Sequence, residues 1–443
     1  MRRRLYPWTV LAILTMLYTA SFIDRQVLNL LVDPIRGSLG ITDTAFSLLQ
    51  GLGFMIAFVI FNPVAGWLVD RRDRRMLLLV AAVLWSLFTV ACGLATSFAL
   101  MFMARIGVGA AEAFVGPASW SLLADTFDHK RLPRALSIFL IGPYIGGGLA
   151  LIFGGVLIGA APGIAGAVPV MGGLEPWQIV FVTVGAPGIV LALLTLFVRE
   201  PRRALGAARD HGPVHAKPLT LREALVFLWS ERAFFVRYSL GMAAIIISLY
   251  SLPAWMPAVL IRTFAADPAR VGIEFGTVTL VAGTSGVLAG PTLARLLETA
   301  RFAGVTQVPV AAAGGLLLGA TTLIAAPTYG AAMAAAALIS FCYALPQAAA
   351  SAALQIASPP GMRGLIAALY AFVVAIIGLV IAPTLVALIT DHVFADSAAV
   401  HKSLSLVVAI SAAAGLWLSL GARRHYRPFA SAQPAEEGTV LGH

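Results

Sequence analysis

The chain has 443 residues, 60% of them hydrophobic and only 11% charged, with a mean hydropathy of +0.91 and a formal net charge of +10. A soluble domain carries about 25% charged residues, so this chain cannot cover a surface in water and must face lipid instead. Its two cysteines, Cys92 and Cys342, lie in apolar runs and read as small core residues; no Cys or His spacing fits a metal site, and the basic charge falls in short clusters between apolar runs, a mark of membrane topology rather than of nucleic-acid binding.

Apolar runs of about 20 residues or more, long enough to cross a bilayer, are predicted at 7–32, 44–69, 75–97, 98–124, 134–160, 176–198, 234–262, 272–296, 304–326, 328–356, 363–390 and 402–421. The first follows Arg2, Arg3 and Arg4 as a signal peptide would. It is too long for one, contains Asp24 and Arg25, and leads into further spans, so it reads as a transmembrane helix. Twelve spans with a cytoplasmic N-terminus put 24 of the 30 Lys and Arg on the cytoplasmic side. Four fall outside (Arg36, Arg262, Arg270 and Lys402), and Arg25 and Arg105 fall within spans. This bias orients the chain. The polar stretch 199–233 then separates an N-terminal six-helix half, 1–198, from a C-terminal half, 234–421, with a disordered cytoplasmic tail at 422–443. A weak repeat supports the division: Gly66 to Arg71 ends the second span and Gly290 to Arg295 ends the eighth, 224 residues later. The predicted fold is thus all-α, twelve transmembrane helices in two pseudo-symmetric halves.

Charges within spans are costly and mark function. The first span carries Asp24-Arg25-Gln26, and the fourth carries Arg105 and Glu112, seven residues and two helical turns apart on one face. Depth along the spans places Asp24 level with Arg105, which predicts that the two pair. Asp24 and Glu112 are the only acids placed deep in a span, so Asp24, Glu112, Arg105 and Arg25 are the candidate proton-coupling set. Gly107, Gly109, Ala110 and Ala111 allow close helix approach. The fifth span holds Gly142-Pro143-Tyr144 and the run Gly146, Gly147, Gly148. The second half offers no deep charge but Tyr250, Tyr343, Gln347 and Tyr370, which with Tyr144 are candidates to line a cavity for an amphipathic solute. All seven histidines fall in predicted loops or tails.

The loop Gly66-x-x-x-Asp70-Arg71-x-x-Arg74-Arg75 resembles the signature loop of the major facilitator superfamily, the segment from Arg105 its fourth-helix motif, and Gly142-Pro143-Tyr144 a motif of its antiporters. Asp24-Arg25-Gln26, the spacing of Arg105 and Glu112, and the glycine run are similar to the spinster-like branch. The resemblance covers the first half in detail and the second in architecture. It implies that Asp70 meets the start of the eleventh helix near residue 363, where a carboxylate would face the positive end of a helix dipole and latch the halves at the cytoplasmic face. Gly66, Asp70, Arg71, Arg74 and Arg75 would form that gate. Two departures stand out: Asp73 replaces the usual glycine, and Ala294 replaces the acid of the second copy, which makes the latch one-sided.

The function implied is secondary active transport driven by protons through alternating access, with a lysolipid or sphingolipid-type solute. The alternative is a small organic anion such as a sugar acid, with Arg25 or Arg105 as counter-charge. No G-x-x-x-x-G-K-[ST] loop for a nucleotide occurs. A membrane enzyme would need a catalytic pair within the spans, and a receptor would not need buried charges. The expectations are therefore a monomeric, multi-pass protein of the cytoplasmic membrane, not an enzyme, without cofactor or metal, whose partners are its solute, protons and lipids.

Overall fold

The computed structural model describes residues 2–128, 131–200, 221–359 and 362–427. Twelve helices among these residues are long and apolar enough to cross a membrane: Tyr6–Leu30, Asp43–Val69, Arg74–Gly93, Phe98–Thr126, Arg134–Ala167, Pro176–Phe197, Arg232–Phe264, Pro268–Leu296, Gly304–Ile324, Tyr329–Ile356, Leu365–Phe394 and Ser397–Ala422. The fold is the all-helical one expected. Only helices satisfy their own backbone in lipid, which is why apolar length alone forecasts them. Their starts carry local signals. Asp73 accepts from Met76 N, Ser97 from Leu100 N, Asp267 from Arg270 N and Thr328 from Ala331 N, each filling a donor that the first turn leaves open. Large apolar side chains such as Ile60, Trp67, Val190 and Leu288 are exposed, as lipid-facing residues are.

Two details differ from expectation. The stretch 199–233, read as a loop, contains the helix Leu221–Ser230. It packs on the start of the seventh span through Phe227 and Phe235, whose ring centroids are 5.7 Å apart. His392 and His401 lie inside the ends of the eleventh and twelfth spans rather than in a loop. The rest of the central loop (201–220) and most of the tail (428–443) lie outside the described residues.

All spans begin or end at one of two faces. The basic end carries 70–74, the ends of the fourth, sixth and tenth spans, the turn 297–303 and the start of the eleventh span. The opposite end carries 31–42, 94–97, 168–175, 265–267, 325–328 and 395–396. Spans one to six contact spans seven to twelve mainly toward the opposite end. There the fifth and eighth spans touch through glycine. A Cβ on Gly155 would lie 2.5 Å from Ala269 O, one on Gly272 2.6 Å from Leu151 O, and one on Gly276 2.8 Å from Gly148 O. Gly272 and Gly276 form a G-x-x-x-G pair, the spacing that puts two small residues on one helix face. The second and eleventh spans meet equally closely, because a methyl on Gly51 would overlap the carbonyl of Leu379. The helix Asp43–Gln50 ends at Gly51 and Leu52–Val69 begins beyond it, while the eleventh span widens to π turns at Ile376–Ile381. Both helices thus depart from regular geometry where they cross.

Gly272→Leu is expected to force the fifth and eighth spans apart and to lower stability by about 1–3 kcal/mol, the usual cost of overpacking. Gly163→Leu, on the fifth span where a Cβ would meet nothing within 4 Å, should be tolerated. Thermal unfolding of the two purified variants in detergent compares them directly.

Candidate functional site

Of the four charges singled out in the sequence, three are buried within their spans and Arg25 is partly buried. Asp24 is 4% exposed, Glu112 3% and Arg105 1%. Their pairing is not the one predicted from depth. Among the described residues Asp24 makes no ion pair with Arg105. Arg25 pairs with Glu112 instead, its Nη2 donating to Oε2 at 2.5 Å. Asp24 accepts from the Thr89 hydroxyl at 3.2 Å. Arg105 donates from Nε to the carbonyl of Leu49 at 3.1 Å, in the last turn of Asp43–Gln50, where a cation meets the negative end of a helix. The error has a geometric source. Adjacent residues on a helix point about 100° apart, so depth alone cannot tell which of Asp24 and Arg25 faces the fourth span.

Arg25 is held from several sides. Its guanidinium carbon lies 4.5 Å from the ring centre of Phe22 and 4.0 Å from that of Phe54, with Phe58 at 5.8 Å. These faces stabilise a cation that is largely withdrawn from water. The small residues of the fourth span make the approach possible: a methyl on Gly109 would overlap the Phe54 carbonyl, and one on Gly53 would sit 3.2 Å from Arg105 Cβ. Arg25 Nε, Arg105 Nη2, Glu112 Oε1 and Gln50 Oε1 are buried without a hydrogen bond. A cluster of unfilled donors and acceptors around one ion pair is a polar site ready to take a ligand or water. A side-chain chain leaves it: Asn29 donates to Gln26 Oε1 at 2.5 Å, and Gln50 donates to Asn29 Oδ1 at 3.0 Å and to the Ala254 carbonyl at 3.3 Å. Ala254 belongs to the other half.

Phenols from both halves face this centre. Tyr18 and Tyr250 lie within electrostatic reach of Arg25. Tyr144 lies within reach of Tyr18, Tyr250 and Tyr343, and Tyr370 within reach of Tyr144 and Tyr250. Tyr144, Tyr250 and Tyr370 are half-buried, whereas Tyr343 is 2% exposed and Gln347 donates back to the Tyr343 carbonyl at 3.1 Å. Tyr18 was not among the predicted residues; its place six residues before Asp24, within two turns, was the available signal. The glycine run of the fifth span serves packing. A Cβ on Gly146 would lie 2.6 Å from Thr19 O and one on Gly148 2.7 Å from Leu280 Cβ.

At the basic end the signature loop builds a knot inside the first half. Arg74 is fully buried and pairs with Asp125 at 2.5 Å and Glu200 at 2.7 Å, and it donates to Ser121 at 2.8 Å. Arg71 stacks over Trp67 at 4.4 Å, and Arg75 lies 3.5 Å from Asp73. Gly66 is half-buried, and Asp70 is exposed.

Sequence reasoning missed a second charged cluster, at the opposite end. Arg262 of the seventh span pairs with Asp33 at 2.7 Å and with Asp43 at 2.8 Å, and Arg36 also meets Asp43 at 3.0 Å. Asp43 is fully buried. Beside it Asp391 accepts from both the backbone N–H and the hydroxyl of Thr44 at 2.7 Å, at the first turn of Asp43–Gln50. Ser47 reaches Thr384 at 3.3 Å. These contacts join the first half to the second.

The sequence model of the Major Facilitator Superfamily matches residues 14–383. The chain belongs to that superfamily. Among curated members, protein spinster homolog 1 of Homo sapiens is 29% identical over 322 residues, covering 70% of this chain and 58% of the relative. An MFS-type efflux pump of Mycolicibacterium smegmatis is 27% identical over 283 residues, covering 63% and 61%. The chain therefore spans about three-fifths of the length of these relatives. A solved bacterial homolog of the human lysosomal transporter Spinster, in an inward-facing, unoccupied conformation, aligns with a TM-score of 0.81 at 24% identity, covering 96% of this chain and 99% of that one. The protein is a multi-pass membrane protein of major facilitator fold, similar to the spinster proteins.

Removing Arg262 takes from the buried Asp43 one of its two arginines and from Asp33 its closest one, and leaves Arg36, a residue of the first half, as the cation on Asp43. With Cys placed at Ser47 and Thr384, a disulfide is expected to form readily in the parent and several-fold less in the Arg262→Ala background. Equal cross-linking yields would show that Arg262 does not hold this end together.

Proposed function

We propose that the protein is a proton-coupled secondary transporter working by alternating access, and that its solute is an amphipathic, lipid-like anion of lysolipid or sphingolipid type. The observation that carries the reading is the Arg25–Glu112 pair, set among unfilled polar atoms with Tyr250 of the other half within electrostatic reach of Arg25. An anionic head group would compete with Glu112 for Arg25. A carboxylate losing its cation in an apolar site is driven to take up a proton. Solute binding and protonation are then linked at one residue pair, and Asp24, which accepts from Thr89 and has no ion pair among the described residues, is the second proton carrier. Phe22, Phe54 and Phe58 around the guanidinium suit a solute with an apolar body. The names of the spinster relatives and of the efflux pump support a transporter of this kind without naming its solute.

The basic end is the cytoplasmic side on this reading, since Lys and Arg gather there, and the membrane is the cytoplasmic (inner) one with both termini inside. The Arg262 and Asp391 contacts then seal the outside, so the described conformation faces inward. In the outward state the exposed Asp70 would swing to the start of the eleventh helix near Arg363, with Arg71, Arg74 and Arg75 beside it.

Purified protein in proteoliposomes, with an internal pH dye, tests the scheme against a panel of lysolipids and sugar acids. Asp24→Asn should abolish flux driven by a pH gradient while leaving solute exchange partly intact. Glu112→Gln should impair both. Full proton-coupled flux in Asp24→Asn would remove the first helix from the coupling path, and a response to sugar acids alone would assign the solute to small anions.

A further inference from the structure

A cavity of about 320 Å³ at the basic end lies between the seventh and twelfth spans, lined by Arg237, Trp417, Leu418, Leu420, Gly421, Arg424 and His425. It is separate from the central site. Arg237 stands thirteen residues before Tyr250 on one helix, or about 20 Å at 1.5 Å per residue. The cavity has the two-part character of an amphiphile. Its rim is basic: Arg237 Nη1 lies 3.3 Å from His425 Nδ1, which also lies 3.0 Å from the Gly421 carbonyl. Arg424 adds a second guanidinium, whereas its neighbour Arg423 turns aside to stack over Phe302 at 4.4 Å. No carboxylate among the described residues forms an ion pair with Arg237 or Arg424. Its floor is apolar, formed by Leu418, Leu420 and Trp417, and the Trp417 side chain is 73% exposed on the outer surface of the bundle. Gly421 gives the Arg237 stem room to cross the twelfth helix: a Cβ there would lie 3.4 Å from Arg237 Cδ.

We infer that this corner binds an anionic phospholipid, its phosphate between Arg237 and Arg424 and its acyl chains along Trp417 and Leu420. Guanidinium groups present planar, paired donors that match a phosphate. Tryptophan concentrates where acyl chains meet head groups. Two arginines without partnering carboxylates, placed at the basic end of a lipid-exposed groove, select the anionic head group over a zwitterionic one. The lipid would bridge the seventh and twelfth spans on the membrane face of the second half, where it takes no part in solute recognition.

The full chain, delipidated in detergent, is titrated with phosphatidylglycerol or phosphatidylcholine, with bound lipid counted by native mass spectrometry. The parent is expected to retain phosphatidylglycerol in preference. Arg237→Gln with Arg424→Gln should weaken that binding about 30-fold, roughly fivefold for each arginine facing an anionic lipid. Both side chains are exposed, so the variant should fold. A charge-matched control, Arg131→Gln with Arg301→Gln, removes two exposed arginines of the same end outside this cavity and should bind as the parent does. Equal loss in the control would reduce the effect to general surface charge and overturn the site. Displacement of the lipid by inorganic phosphate at equal concentration would overturn the lipid assignment in favour of a soluble anion.

Discussion

A charge in the apolar middle of a membrane protein must find a partner, and the Arg25–Glu112 pair is how this protein meets that demand. Much else follows from it. The pair joins the first span to the fourth, whose Gly107 and Gly109 in turn let the third and second spans close on it. A Cβ on Gly107 would lie 2.5 Å from a carbon of the Phe88 ring. The cation needs aromatic cover, which Phe22 and Phe54 supply. The second arginine, Arg105, is then left to cap the broken helix of the second span at Leu49. Glu112, paired with an arginine, and Asp24, which accepts from a hydroxyl and has no ion pair among the described residues, sit in unlike surroundings within one bundle. That inequality allows one conformational change to affect them differently.

The ionic contacts divide by position. At the basic end, Arg74, Asp125 and Glu200 bind one half to itself. At the opposite end, Arg262, Asp33, Asp43 and Asp391 bind one half to the other. The Asp391 contact has the form that family resemblance implies for Asp70, with the halves exchanged: a carboxylate of the eleventh span sits at the start of the second, where Asp70 of the second would sit at the start of the eleventh. Each of the two contacts would hold one end of the molecule shut.

The twelve spans were legible because lipid imposes a length and a composition that any window of residues reports. The buried charges were legible for the same reason: Asp24, Arg25, Arg105 and Glu112 stand out against apolar neighbours. Their pairing was not, because it depends on the rotation of the first helix about its axis, which apolar surroundings on every side leave unmarked. Asp33, Asp43 and Asp391 were hidden differently. Charged residues near span ends are ordinary, and only the fold brings residues 33, 43 and 391 to within reach of the seventh and second spans. The G-x-x-x-G at Gly272 and Gly276 was visible as spacing, but nothing local says that its partner is the fifth span.

That contact between the fifth and eighth spans has a mechanical consequence. Where Gly148 and Gly155 face Gly272 and Gly276, the two backbones touch and few side chains, Ile152 and Leu280 among them, reach in between. Interlocked side chains act as teeth, and sliding past them means repacking each in turn. A glycine-lined seam has few teeth. It resists separation, because close backbones maximise dispersion contact, yet it offers little resistance to rotation or shear. It is therefore a bearing surface, placed where two rigid halves can roll over one another while the ionic contacts at either end are made and broken.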